Sequence, residues 1–374
     1  MWTSLPRRSC CNHSSTAGPP TGVRRRSLPR GAWRAQELSP LAKRLLIVII
    51  AAAVGALGLR HLYLQGLEAR DPAGAQRLVY LQPGQGLWAL ASVLEDEGII
   101  RSAPAFYVYY KIYIRRGGDS SLKGAYFDLS PADAVPEIVT KRLREPATRR
   151  VTFPEGFDLS QMGARLGDVG LMVSAKAFAD AAAPATVADV VDSPLPAKSL
   201  EGYLFPDTYE FVVGTGADGI VTTMAQTFSR KFYAPNSAEI EASALSLHEL
   251  VTIASLIERE ARVAADRPLI SSVIRNRLAK GMRLQIDATV LYALGTHKER
   301  VTHEDLKVKS PYNTYLHAGL PPGPICNPGL ASLKAALHPA SSEYLFYVAR
   351  PDGSHVFTRT YEEHLAAIRA IRGR

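Results

Sequence analysis

Fifteen consecutive residues, Leu45-Leu-Ile-Val-Ile-Ile-Ala-Ala-Ala-Val-Gly-Ala-Leu-Gly-Leu59, carry no charge and no hydrogen-bonding side chain. A helix made from them is apolar on every face, so it must be enclosed by protein or by lipid. A core helix of a soluble domain normally keeps a polar stripe, and this run has none. Arg44 and Arg60 bracket it, and their long side chains can reach a headgroup layer while the backbone stays in hydrocarbon. With Leu62-Tyr-Leu64 the stretch extends to 45–64, about 20 residues, the length of a bilayer crossing. A cleaved signal peptide has a similar apolar core but a short leading segment, whereas 44 residues precede this one. The sequence therefore predicts a transmembrane helix at 45–64.

Charge supports that reading and removes another. The net charge of +9 resembles that of a nucleic-acid binder. Yet residues 1–44 hold nine cations (Arg7, Arg8, Arg24, Arg25, Arg26, Arg30, Arg34, Lys43 and Arg44) against the single anion Glu37. Only about one net charge is left for the other 330 residues, so the folded part is near neutral and no nucleic-acid partner is expected. The same cations orient the N-terminus to the cytoplasm, which puts everything after the span outside. Residues 1–44, rich in Pro, Ser and Arg without apolar periodicity, read as a disordered basic arm. Cys10 and Cys11 fall on the reducing side and Cys326 is alone outside, so no intramolecular disulfide is available there.

The outer portion contains a weak repeat at an offset of 72 residues. Between positions 84–106 and 156–178, 9 of 23 residues are identical, among them Leu87/Leu159, Leu94/Leu166, Gly98/Gly170, Ser102/Ser174 and Phe106/Phe178. Each copy follows a strand-like run, Leu78–Leu81 or Arg150–Phe153. Each then predicts a helix closed by Gly98 or Gly170 and a second helix capped by Ser102 or Ser174. After the first copy, Gly124–Leu129 alternates like a strand. This strand–helix–helix–strand order resembles a LysM-like module, a common peptidoglycan binder, and a generic small α/β unit shares the order. Residues 181–199, rich in Ala, Pro and Val, read as a connection.

From Leu200 the texture changes. Leu200-Glu-Gly-Tyr-Leu-Phe-Pro-Asp-Thr-Tyr-Glu-Phe211 mixes aromatics with Glu201 and Asp207, a composition suited to a sugar groove or to a packed turn. A helix is predicted from Leu247 to about Arg262, with Ser246 and Glu249 at capping-box spacing. At 100° per residue, Val251, Ala254, Glu258 and Ala261 share one face, with Leu250 and Ile257 beside it. Glu258 thus lies in the apolar stripe, Glu260 on its flank, and Arg259 points away. A carboxyl among apolar groups is held protonated near neutral pH, as a glycosidic general acid must be; a structural pairing of Glu258 with an Arg is the alternative. Farther on come Val273–Leu278, Gly281–Asp287 and the turn-rich Ser310–Gly329. A strand at Tyr344–Val348, a turn at Pro351–Gly353, a strand at His355–Phe357 and a closing helix from Tyr361 end the chain. His297, His303, His317 and His338 are scattered, so neither metal nor cofactor is expected.

Six ordered blocks together resemble the endolytic murein transglycosylases of the YceG-like family. They are Leu200-Glu-Gly-Tyr-Leu-Phe-Pro-Asp-Thr-Tyr, Ala254-Ser-Leu-Ile-Glu-Arg-Glu, Asn276-Arg-Leu, Gly281-Met-Arg-Leu-Gln, Pro311-Tyr-Asn-Thr-Tyr and Gly319-Leu-Pro-Pro-Gly-Pro-Ile. The resemblance implies an α+β protein: anchor, LysM-like module at 65–147 and mixed α/β catalytic domain at 148–374. It implies single-pass residence in a bacterial inner membrane. It also implies non-hydrolytic cleavage of the MurNAc–GlcNAc β-1,4 bond of nascent peptidoglycan, leaving 1,6-anhydro-MurNAc ends. It makes Glu258 the acid/base and suggests Tyr203, Gln285, Asp287, Tyr312 and Asn313 as substrate-positioning groups. Glycan-strand synthases become plausible neighbours. Ile286 stands where Ser or Thr is usual, Ala288 where Pro is frequent, and Leu365 where Asn is often found. Two other readings stay open: a hydrolase with Asp287 or Asp207 as second carboxylate, and a non-catalytic wall-binding scaffold.

Overall fold

A computed structural model describes residues 39–118, 124–188, 191, 193–196, 198–296, 298 and 300–373. Most of the basic arm, residues 1–38, and His297 lie outside the described residues, as do parts of the connection at 181–199. The chain divides into two units, 1–61 and 62–374. The described residues of the first belong almost wholly to helix α1 (Pro40–Leu67), which runs on past the boundary. Its most apolar window has a mean hydropathy of 2.2 and no buried residue, so it is long and apolar enough to cross a membrane.

The second unit is built on the repeat. The first copy is β1 (Arg77–Leu81), α2 (Leu87–Asp96), α3 (Ala103–Arg115) and β2 (Ala125–Leu129), with β2 antiparallel to β1. After α4 (Val135–Thr140), the second copy gives β3 (Thr148–Thr152), α5 (Leu159–Asp168), α6 (Ala175–Ala181) and β4 (Thr208–Val212), with β4 antiparallel to β3. Both helix starts and the end of the first helix repeat at the 72-residue offset. Gly98 and Gly170 each take φ +72°, a left-handed turn open to glycine without a Cβ clash. Ser102 and Ser174 accept the N–H groups of Ala105 and Ala177, the expected caps. The return from α6 to β4 is much longer than its counterpart in the first copy, and it carries the Leu200–Asp207 block. The copies keep separate cores, one from Val79 to Leu143, the other joined to the C-terminal region. Ala147 bridges them, donating to Tyr126 O at 2.7 Å and accepting from Val213 at 2.8 Å.

The remainder is α7 (Ala217–Phe228), a π turn at Ser229–Tyr233, α8 (Ala234–Ala242), α9 (Leu247–Glu260), α10 (Arg267–Ala279), α11 (Asp287–Leu294), α12 (Leu330–Leu337), β5 (Phe346–Ala349), β6 (His355–Thr358) and α13 (Tyr361–Arg372). Strands β5 and β6 pair antiparallel. Helix α9 opens with the predicted capping box: Glu249 N–H donates to Ser246 Oγ at 3.3 Å and Ser246 N–H to Glu249 Oε2 at 2.8 Å. It packs against α10, α11 and α12, and every residue from Leu250 to Ile257 is buried. It therefore has no single apolar stripe. Its angular pattern cannot tell which of its last carboxylates enters the interior.

Candidate active site

The aromatic block is locked in place by one amide. Asn327, fully buried, accepts at Oδ1 from Gly202 N–H at 2.9 Å and Leu204 N–H at 3.0 Å. Its Nδ2 donates to Glu201 Oε1 at 2.9 Å and Phe157 O at 3.1 Å. Two blocks more than a hundred residues apart are thus joined. Burial pushes the Glu201 carboxyl up to about 8. Gly202 has φ +86°, and a Cβ there would lie 2.5 Å from Pro324 Cγ, so this turn admits only glycine.

The C-terminal end of α9 faces two environments. Glu258 Oε2 accepts the Gly329 N–H at 2.9 Å, at the mouth of α12, and Oε1 lies 3.7 Å from Arg267 Nη2. Its side chain is 8% exposed. Glu155 approaches the same point: a Cβ on Gly329 would overlap its carboxyl group. Burial and then the nearby Glu258 charge raise the Glu155 pKa, with Arg267 opposing. Glu258 thus serves as a bolt between α9 and the start of α12.

Glu260, half-buried, lies instead in a cleft of about 370 Å³ lined also by Arg277, Leu284, Gln285, Asp287, Tyr315, Tyr347, Ala349, His355 and His364. Burial raises the Glu260 carboxyl to about 7; a hydrogen bond from Tyr347 pulls it down, the Asp287 charge pushes it up, and Arg259 pulls it down. Tyr347 Oη donates to Glu260 Oε2 at 3.1 Å. Across the cleft Tyr315 Oη donates to Asp287 Oδ1 at 2.6 Å. Gln285 is held at φ +54°, strained for a residue with a Cβ. Its neighbours enforce that shape: Gln285 N–H donates to Thr314 O at 3.2 Å, Ile286 N–H to Thr314 Oγ1 at 2.9 Å, and Arg277 Nη1 to Leu284 O at 2.7 Å. His355, buried in the cleft wall, has Nδ1 2.9 Å from Asp266 Oδ2. The buried His364 Nδ1 has no hydrogen-bond partner among the described residues, and burial followed by the Arg277 charge lowers the His364 pKa. No cluster of His, Cys, Asp or Glu suited to a metal occurs among the described residues.

The sequence pattern of the YceG-like family matches residues 79–370. The chain belongs to the YceG-like family. Within it, the endolytic murein transglycosylase of Bacillus subtilis is 37% identical over 301 residues, covering 76% of this chain and 82% of that protein. The endolytic murein transglycosylase of Streptococcus pneumoniae is 28% identical over 357 residues, 86% of this chain and 63% of that protein, so the chain spans less than two thirds of this relative. A crystal structure of a yceG-like protein from Listeria monocytogenes is 35% identical, with a TM-score of 0.54, covering 79% of this chain and all of that one.

Of the site residues expected in this YceG-like chain, the fold brings Gln285 and Asp287 to the cleft with Glu260. Glu258, expected there, does not line it. Tyr203 is 2% exposed and packs on Phe228, with its hydroxyl 3.4 Å from His248 Nδ1. Asn313 is fully buried: its Nδ2 donates to Leu306 O and Val308 O, and its Oδ1 accepts from Tyr315 N–H, so it shapes the loop that aims Tyr315. Tyr312 packs on Tyr292 with ring centroids 4.9 Å apart, outside the cleft lining. Asp207 pairs with Lys231 away from the cleft. Residue reasoning missed Tyr347 and His355, whose only signal was the β5–β6 strand pattern. Tyr315 was in view within the Pro311–Tyr315 block. The unusual Ile286 is buried as the N-cap of α11 and makes no side-chain cap there.

Proposed function

We propose that this chain is a membrane-anchored lytic transglycosylase that cuts peptidoglycan glycan strands, with Glu260 rather than Glu258 as the acid/base. The observation that carries the residue assignment is the cleft. It holds a carboxyl shifted to about 7, able both to give and to take a proton near neutral pH. The names of the curated relatives support the reaction class.

In this reading Glu260 protonates the glycosidic oxygen leaving C1 of MurNAc. The MurNAc 6-hydroxyl then closes on C1 and returns its proton to the Glu260 carboxylate. The bond to GlcNAc breaks, a 1,6-anhydro ring forms, and no water is consumed. The nucleophile belongs to the substrate, so one protein carboxyl suffices. Gln285, Asp287 and Tyr315 position the sugar. Helix α1 anchors the protein in the inner membrane with residues after the span outside, which limits its substrate to nascent strands and makes synthases natural neighbours. The first β-α-α-β copy serves as the LysM-like glycan-holding module.

Asp287 shares the cleft, which favours one rival: a hydrolase using Glu260 and Asp287 as a carboxylate pair. Mass spectrometry of digested sacculi separates the two. Anhydro ends, one water lighter than reducing ends, are expected from wild type and absent with Glu260→Gln. Reducing ends would establish the hydrolase. Anhydro ends at wild-type level from Glu260→Gln would return the role to another carboxyl.

A further inference from the structure

Helix α3 has a surface that neither the core nor the proposed chemistry uses. Its sequence, Ala-Pro-Ala-Phe-Tyr-Val-Tyr-Tyr-Lys-Ile-Tyr-Ile-Arg, contains no acidic residue. One side packs inward through Phe106 and Tyr110. On the other, Val108 is 45% and Ile112 39% exposed. Trp88, 55% exposed at the start of α2, meets Tyr107 edge-on with ring centroids 5.6 Å apart, and Lys111 Nζ lies 5.6 Å from the Tyr107 centroid. Lys111 and Arg115 flank the apolar pair and, with it and Tyr107, line one shallow depression.

We propose that this face lies on the bilayer surface and binds anionic lipid headgroups, Trp88 and Tyr107 entering the interface and Lys111 and Arg115 pairing with phosphates. The proposal rests on the reading of α1 as a membrane anchor. Three observations favour lipid over glycan. The chemistry is that of an interface: amphipathic aromatics, exposed aliphatic groups and cations side by side. The depression carries no carboxylate or amide to accept sugar hydroxyls, and its charge complements anionic lipid. The start of the helix that carries the face also packs on residues that follow the apolar stretch. Gly66 lies so close to α3 that a Cβ there would be 2.7 Å from Ala105 Cβ, so the residues just after the predicted span seat on the first turn of α3. A module tethered this closely meets the headgroup layer at almost no entropic cost.

The test uses the full chain in vesicles. The sequence has three tryptophans, so Trp2→Phe with Trp33→Phe leaves Trp88 as the sole indole. The protein is reconstituted into phosphatidylglycerol/phosphatidylcholine vesicles with or without lipids brominated near the top of the acyl chain. Co-flotation reports the anchor, and Trp88 emission reports the face. Co-flotation with roughly twofold or greater quenching of Trp88 is expected, as for an interfacial indole. Lys111→Glu with Arg115→Glu should still float while losing most of the quenching. A protein that floats with Trp88 unquenched overturns the proposal and leaves the anchor standing. Failure to float overturns both. A Trp88 signal that answers to added soluble glycan strands and not to brominated lipid gives the face to glycan and overturns the lipid assignment.

Discussion

Glu258 and Glu260 stand two residues apart on one helix yet belong to different parts of the protein. Glu258 is fixed by the Gly329 N–H and faces Arg267, whereas Glu260 lines the cleft under the Tyr347 hydroxyl. Glu260→Gln should lower the yield of cleaved strands by about 10²–10⁴, the scale of losing a general acid. Glu258→Gln should keep cleavage within a few-fold and lower stability by about 1–3 kcal/mol, the cost of a damaged buried contact. Muropeptide analysis and urea denaturation of the two variants together check this. The opposite pattern would return the acid/base role to Glu258.

In the proposed mechanism the proton balance of Glu260 sets the pH profile. As an acid it must be protonated, so the first step should slow as pH rises through about 7. Tyr347 donates to the carboxylate and so pulls this value down. Tyr347→Phe should therefore move the alkaline limb of kcat/KM to higher pH. A limb that stays in place would detach Tyr347 from the titrating group.

Stability should also carry a pH signature from Glu201. Its folded value is raised to about 8 from 4.5, so the folded state holds the proton more tightly than the unfolded chain. Its contribution is fully present below about 4.5 and is lost as pH rises through about 8. Glu260 adds a change of the same sign that ends near 7. Glu201→Gln should flatten the fall in unfolding free energy across this window, whatever its effect on absolute stability. Urea midpoints measured at several pH values read that slope directly.

Asn327 satisfies two backbone N–H groups and one oxygen of a buried carboxyl. Asn327→Ala leaves them without partners and should cost about 3–5 kcal/mol. Thermal melting should show a drop of many degrees, with cleavage lost through unfolding rather than through chemistry. Restored activity at low temperature would confirm that role.

The strain at Gln285 predicts a trade. Glycine relieves a φ of +54°, so Gln285→Gly should hold or raise stability by up to about 1 kcal/mol. If the amide positions substrate, the same change should reduce turnover or raise KM. Full activity together with higher stability would remove Gln285 from the site.

Much of the fold is written in local chemistry. Ser102, Ser174 and Ser246 cap helices through bonds that reach only three residues ahead, and Gly98 and Gly170 end helices through their own backbone freedom. The apolar run at 45–59 and the 72-residue repeat are properties of the chain itself, visible before any packing. The choice between Glu258 and Glu260 is not of that kind. Helical periodicity identifies a face only when one side meets water, and α9 is buried on all sides over its middle. What separates the two carboxyls is what folds against them: Gly329 and Arg267 for one, Tyr347 and the Gln285 turn for the other, brought from up to 87 residues away. The sequence alone determined the membrane-length apolar helix, the duplicated units and the residues available to the site. Only the tertiary structure decided which carboxyl lines an open cleft, because the cleft walls come from residues remote in the chain.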